Sequence, residues 1–178
     1  MKLEQAFLDS AIKRFKEEKA LGDKTMAQLN SEAMLWQPNE TSNSIAIIIQ
    51  HMHGNMLSRW TNFLTEDGEK NWRKRDAEFE PSVLSKEVLL HLWEEGWNTL
   101  FHTLVSLQPD DLLKTITIRS QPLLVVDAIN RQLAHYSYHT GQIVQLGKWL
   151  LDTAWQNLSI PKGASLDFNS KLNHGIKS

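Results

Sequence analysis

Between Gln132 and Leu151 the chain reads QLAHYSYHTGQIVQLGKWLL, and the periodicity of this stretch decides how the rest is organised. Leu124, Ala128, His135, His139, Gln142, Leu146 and Leu150 share one side when each residue advances about 100° around a helix axis. His135 and His139 are four residues apart, so their side chains lie one above the other and both imidazoles can reach one ion. The ends of the stripe are aliphatic, whereas its middle is imidazole and amide. Polar groups turned toward a core need partners, because burying them unpaired costs free energy. Two half-exposed histidines bonded to carbonyls or water give the same spacing, so the pair is half of a metal site and needs a third ligand from elsewhere. Tyr136 and Ser137 follow His135, so the Glu of the H-E-x-x-H zinc-peptidase pattern is missing.

A chain of 178 residues is long enough for one domain with a substantial core and short for two. With 41% hydrophobic and 22% charged residues it has the composition of a soluble globular protein. Seven Trp against two Tyr supply much buriable area in a few side chains. A net charge of −2 provides no broad positive field, which argues against nucleic acid as a partner. The absence of Cys excludes disulfides, thiolate ligands and cysteine nucleophiles, so any metal must be held by His, carboxylate, amide or water. The first residues contain no signal-peptide hydrophobic core, and no apolar run approaches the ~18 residues of a membrane span. A cytoplasmic protein without a membrane partner is expected.

Upstream, Leu3, Phe7, Ala11 and Phe15 recur every four residues in a helix expected to run to about Leu29. SEAMLWQPNETSNS, with Pro38, reads as a turn that supplies helix caps near Ser42 to Ser44. The second helix, SIAIIIQHMHGNMLSRWTNFL, brings His51 and His53, separated by about 200° and so unable to face the same way. His53 lies slightly nearer the apolar stripe, while His51 shares its side with Ile47, Ile48, Asn55 and Ser58; the wheel does not choose between them. From Thr65 to Pro81 periodicity is lost and charge gathers, the pattern of a long functional loop or a solvated connector. Arg73 and Arg75 there have the planar forks to clamp an anion, yet Asp67, Glu69, Asp76 and Glu78 can neutralise them, and the composition favours a solvated connector.

Ser85 caps a third helix with Leu89, Trp93, Gly96, Leu100, Leu104 and Leu107 inward. His91, Glu95, Asn98 and His102 fall on the opposite, solvent face. LLKTITIRSQPLL alternates in a β-like way and predicts a short strand or hairpin at most. The last helix is expected from Pro122 or Leu123 to about Asp152. Residues 156–178 read as an extended polar tail with His174 exposed. Four long helices pack most simply as an all-α four-helix bundle over residues 1–155, a fold that commonly builds metal sites from inward side chains.

LWQPNETSNSIAIIIQHM and the H-x-x-x-H-x-G-Q pattern of HYSYHTGQ resemble the DinB/YfiT-like superfamily of metal-dependent enzymes over nearly the whole chain. GNMLSRWTNFLTEDGEKNWRKRDAEF is similar to one uncharacterised bacterial subgroup of it. The resemblance implies up-down-down-up connectivity and a divalent metal on three His with open positions. Matched residue by residue, the ligands are His51, after Gln50 and before Met52, with His135 and His139; His53 is left out. Zinc, nickel, iron and manganese all suit three imidazoles.

Relatives in this superfamily include thiol-dependent S-transferases, so a low-molecular-weight thiol cosubstrate and a small-molecule substrate are implied. A hydrolase using metal-bound water is the alternative enzyme, and a non-catalytic, metal-stabilised binding or sensing module the alternative class. Gln142, one turn beyond His139, and Asn55, one turn beyond His51, are positioned to orient water or the imidazoles, and Arg131, one turn before His135, to bind an anionic group. Tyr138 is assigned to packing. Related proteins pair through helix surfaces, which implies a homodimer.

Overall fold

Four long helices enclose the core of the computed structural model, which describes residues 2–80 and 83–173. His174 and Pro81, both assigned above, lie outside the described residues. Helix α1 (Leu3–Ala27) buries Leu8, Ala11, Phe15 and Met26, while Leu3 in its first turn stays exposed. The stretch assigned to a turn carries a short helix, α2 (Ser31–Leu35). Asn30 makes it possible: its side chain accepts the Ala33 N–H at 2.9 Å, a cap that satisfies a donor the first turn would leave unpaired.

Helix α3 (Ile45–Trp60) begins where expected, with Ser44 accepting the Ile47 N–H at 3.2 Å. It is buried almost all round: Ile45 to Ile49, then His51, Met52, Asn55, Met56 and Ser58 to Trp60. A helix covered on every side has no single apolar stripe, which is why its wheel did not discriminate between its two histidines. Helix α4 (Lys86–Ser106) is capped by Ser85 and turns Leu89, Trp93, Gly96, Leu100 and Leu104 inward as expected, together with Trp97. His91, Glu95, Asn98 and His102 are exposed.

Strands β1 (Thr115–Ile118) and β2 (Gln121–Leu124) form an antiparallel hairpin in which Thr115 faces Leu124 and Ile118 faces Gln121. The final long helix, α5 (Val125–Leu151), therefore starts a few residues later than its periodicity suggested, because residues 121–124 are committed to the ladder. The buried side of α5 is also rotated from the expected stripe. It centres on Ile129, Gln132, Tyr136 and Ile143, and leaves Leu124 exposed and Leu150 half-buried.

Helix α1 packs mainly on α5 and also on α4, and α3 packs mainly on α4 and also on α5, closing a cycle around one core. Phe15, Trp60, Trp97 and Tyr136 meet at its centre, with Phe15 ring centroids 6.0–6.4 Å from the other three. Beyond α5, where an extended tail was expected, Ser165–Asn173 form α6, a short helix that leaves Leu166 and Leu172 exposed. Among the described residues no helix is long and apolar enough to cross a membrane.

Candidate metal centre

His135 and His139 sit one turn apart on α5 and face α3, where His51 points back at them. The Nε2 atoms of His51 and His135 are 3.3 Å apart, and those of His135 and His139 are 3.0 Å apart. The ligating atoms of all three residues lie within 4.8 Å of one another. Nitrogens about 2.0–2.1 Å from one tetrahedral ion are separated by about 3.3 Å. The spacing of the imidazoles fits a shared cation.

The far sides of two rings fix their chemistry. His51 Nδ1 lies 3.0 Å from Glu78 Oε2, and His139 Nδ1 lies 2.8 Å from Gln142 Oε1. Both partners are acceptors, so each Nδ1 carries a proton and each ring turns its Nε2 toward the centre. Burial, reinforced by the imidazoles of His139 and His51, pushes His135 down to about 3. Burial also brings His139 down to about 4, against the opposing effect of its Gln142 hydrogen bond. These rings stay neutral at neutral pH, the form that ligates a metal.

Glu78 comes from the segment assigned above to a solvated connector, and here the structure corrects the sequence reading. Arg73 donates to Glu78 through Nε at 2.7 Å and Nη2 at 2.8 Å, and the Arg73 side chain is only 2% exposed. Burial acts to raise the Glu78 pKa, and the hydrogen bonds from Arg73 and His51 outweigh it, leaving the carboxylate below its ordinary value. Phe79 stacks on His51, with centroids 4.6 Å apart and planes 33° apart. Arg75 remains a surface residue, paired with Asp76 and resting over the Phe79 ring. Charged residues in aperiodic sequence resemble solvated loops; only the pairing of Arg73 with an acid five residues away hinted otherwise.

The remaining assignments separate. His53 turns to α4, where its Nε2 lies 2.9 Å from Glu95, away from the cluster. Asn55 is buried, and its Oδ1 accepts the Tyr136 hydroxyl at 2.9 Å, so that oxygen serves a helix-to-helix contact. Arg131 is exposed on α5. Tyr138, assigned to packing, is 64% exposed, and its hydroxyl accepts from Gln142 Nε2 at 3.3 Å. It projects outward because the buried side of α5 is rotated toward Tyr136.

Gln142 joins the cluster to a surface groove of about 590 Å³ between the start of α3 and the second half of α5, where Ile48, Tyr138, Gln145 and Trp149 also line the wall. None of its lining residues carries a formal charge.

Residues 2–164 match the model of a family described as protein of unknown function (DUF1572). No curated protein matches the chain.

Proposed function

We propose that this chain, which belongs to the DUF1572 family, is a metal-dependent enzyme of DinB/YfiT-like type, an up-down-down-up four-helix bundle with His51, His135 and His139 as ligands. The observation that carries the reading is the convergence of three Nε2 atoms at ligand spacing, with two of the rings oriented by acceptors behind them. Three imidazoles suit zinc, nickel, iron or manganese. Such an ion, when bound, leaves coordination positions open and lowers the pKa of a thiol or a water there.

The chain's own residues then divide the remaining work. Glu78 and Gln142 hold the ring protons of His51 and His139 away from the centre. Phe79 covers one face of His51 and keeps water from it. The uncharged groove beside Gln142 holds the body of a small-molecule substrate. Thiol-dependent transfer is placed ahead of hydrolysis on the resemblance to thiol-dependent S-transferases, since an ion of this kind activates thiol and water alike. Glu78, the carboxylate behind His51, is already bound to Arg73 and His51, so its role is to orient that ring.

Metal analysis of the purified protein beside a His135→Ala, His139→Ala double variant tests the site, with metal expected only in the parent. Equal contents would remove it. Turnover of a small electrophile with and without a low-molecular-weight thiol tests the chemistry: thiol-independent turnover would point to the hydrolase. A chelator-induced fall in melting temperature with no turnover would leave a metal-stabilised binding or sensing module.

A further inference from the structure

Residues 68–79 are tied down at both ends, and the second tie runs through a proposed metal ligand. At the first, the Gly68 N–H donates to the Thr117 carbonyl at 2.8 Å. The Ser58 hydroxyl donates to the Gly68 carbonyl at 2.7 Å, while the Lys70 N–H donates to Ser58 Oγ at 3.2 Å. At the second, Glu78 crosses α3 at Gly54, one turn beyond His51, and touches it so closely that a Cβ there would stand 2.2 Å from Glu78 Oε1. Gly54 is helical, where glycine is disfavoured relative to alanine. Its missing side chain is the space that the carboxylate occupies.

The second tie is anchored by the Arg73–Glu78 pair, whose side chains are 2% and 10% exposed. Withdrawing two charges from water is expensive, and a buried pair of this kind is a poor source of stability. Its geometry nevertheless has a chemical consequence. With Glu78 in place, the His51 proton is held on Nδ1 and its Nε2 lone pair faces His135. With Glu78 withdrawn, either tautomer is available, and the one protonated at Nε2 has no lone pair on the nitrogen that faces the centre.

We propose that residues 68–79 are a cover coupled to the metal centre: Glu78, paired with Arg73 and seated on Gly54, sets the pose of His51 and so the affinity of the centre, and a bound cation in turn holds the cover down. The second half follows from the first, because coupling between two binding events is reciprocal. The inference rests on the metal reading above and adds to it a regulated site, whose affinity any process that lifts the segment would lower.

The test uses the full chain and zinc alone. Competition against a chromophoric chelator should show Glu78→Gln and Gly54→Ala each binding zinc about tenfold or more weakly than the parent, the range expected when a partner behind a ligating histidine is lost. In the zinc-free parent, the ring ¹⁵N shifts of His51 should report the Nδ1–H tautomer, and in Glu78→Gln a mixture, a change that a merely structural role would not produce. Hydrogen exchange of residues 69–79 in the parent should slow on adding zinc, a measurement that needs no variant to fold. Unchanged affinity in both variants, or exchange indifferent to zinc in a parent that binds it, overturns the coupling. A parent that binds no zinc, or a His135→Ala, His139→Ala variant that binds it equally well, overturns the metal reading and the coupling with it. Zinc lost in that double variant yet insensitive to Glu78→Gln and Gly54→Ala sinks the coupling alone.

Discussion

The hydroxyl of Tyr136 donates to Asn55 Oδ1 at 2.9 Å, joining α5 to α3 one residue along from His135. The Tyr136 hydroxyl oxygen also accepts from Trp60 Nε1 at 3.0 Å, so one fully buried phenol satisfies two groups of α3. Burial raises its pKa above the ordinary value, which keeps it a neutral donor.

Tyr136→Phe should therefore destabilise the protein by about 1–3 kcal/mol, since it strands buried polar partners rather than merely deleting a bond. Urea unfolding monitored by Trp fluorescence reads this directly. Combining it with Trp60→Phe should cost less than the sum of the two, because the second change removes one of the stranded groups.

Removing metal should lower the melting temperature. A cation that binds only the folded chain adds about 2.7 kcal/mol at a hundredfold excess over its Kd. Zinc titrated into chelator-treated protein should raise the transition in a concentration-dependent way, and His139→Ala should abolish that response. A parent whose melting temperature ignores both chelator and zinc would contradict it.

Asp67 predicts an acid-sensitive joint. Burial would raise its pKa, but the backbone N–H groups of Glu69, Ser120 and Arg119 and the Thr117 side chain outweigh burial and hold the carboxylate well below its usual range. A carboxyl whose folded pKa is depressed binds fewer protons than its unfolded counterpart. Its contribution is present above about pH 4 and fades as pH falls toward the folded value. Stability of the parent should drop through this window more steeply than that of Asp67→Asn, measured by denaturant midpoints from pH 5 downward. Parallel curves would show that Asp67 adds nothing.

Two glycines of α5 should respond in opposite directions to alanine. A Cβ at Gly147 would sit 2.6 Å from Thr25 Cγ2 on α1, so Gly147→Ala forces the main α1–α5 contact apart, at about 1–3 kcal/mol. Gly141 has nothing within 4 Å of that position, so Gly141→Ala should stabilise the helix by about 0.5–1 kcal/mol. Thermal melts of the two variants beside the parent decide it.

The long helices were legible because their apolar periodicity and hydroxyl caps act locally: Ser44 and Ser85 start α3 and α4 as read. The hairpin was legible only as alternation. Its turn residues, Arg119 and Ser120, both adopt positive φ without being the usual Asn-Gly. The strain is offset by Asp67, about fifty residues away, which accepts both of their N–H groups at 2.8 Å. No local rule could supply that partner.

By itself the sequence determined that the chain is mostly helical, that His135 and His139 share a face of the last long helix, and that no thiolate could join them. Those are consequences of residue spacing and composition, which act within a few turns of chain. Which histidine of α3 meets that pair was open on the helical wheel and came from sequence only through the resemblance; the tertiary structure supplied the geometric ground for His51, since a helix buried all round carries no directional stripe. It also decided that Arg73 and Glu78 leave water to stand behind His51, because the energy of a buried charge depends on the partners packing brings to it, and neighbours in sequence do not reveal them.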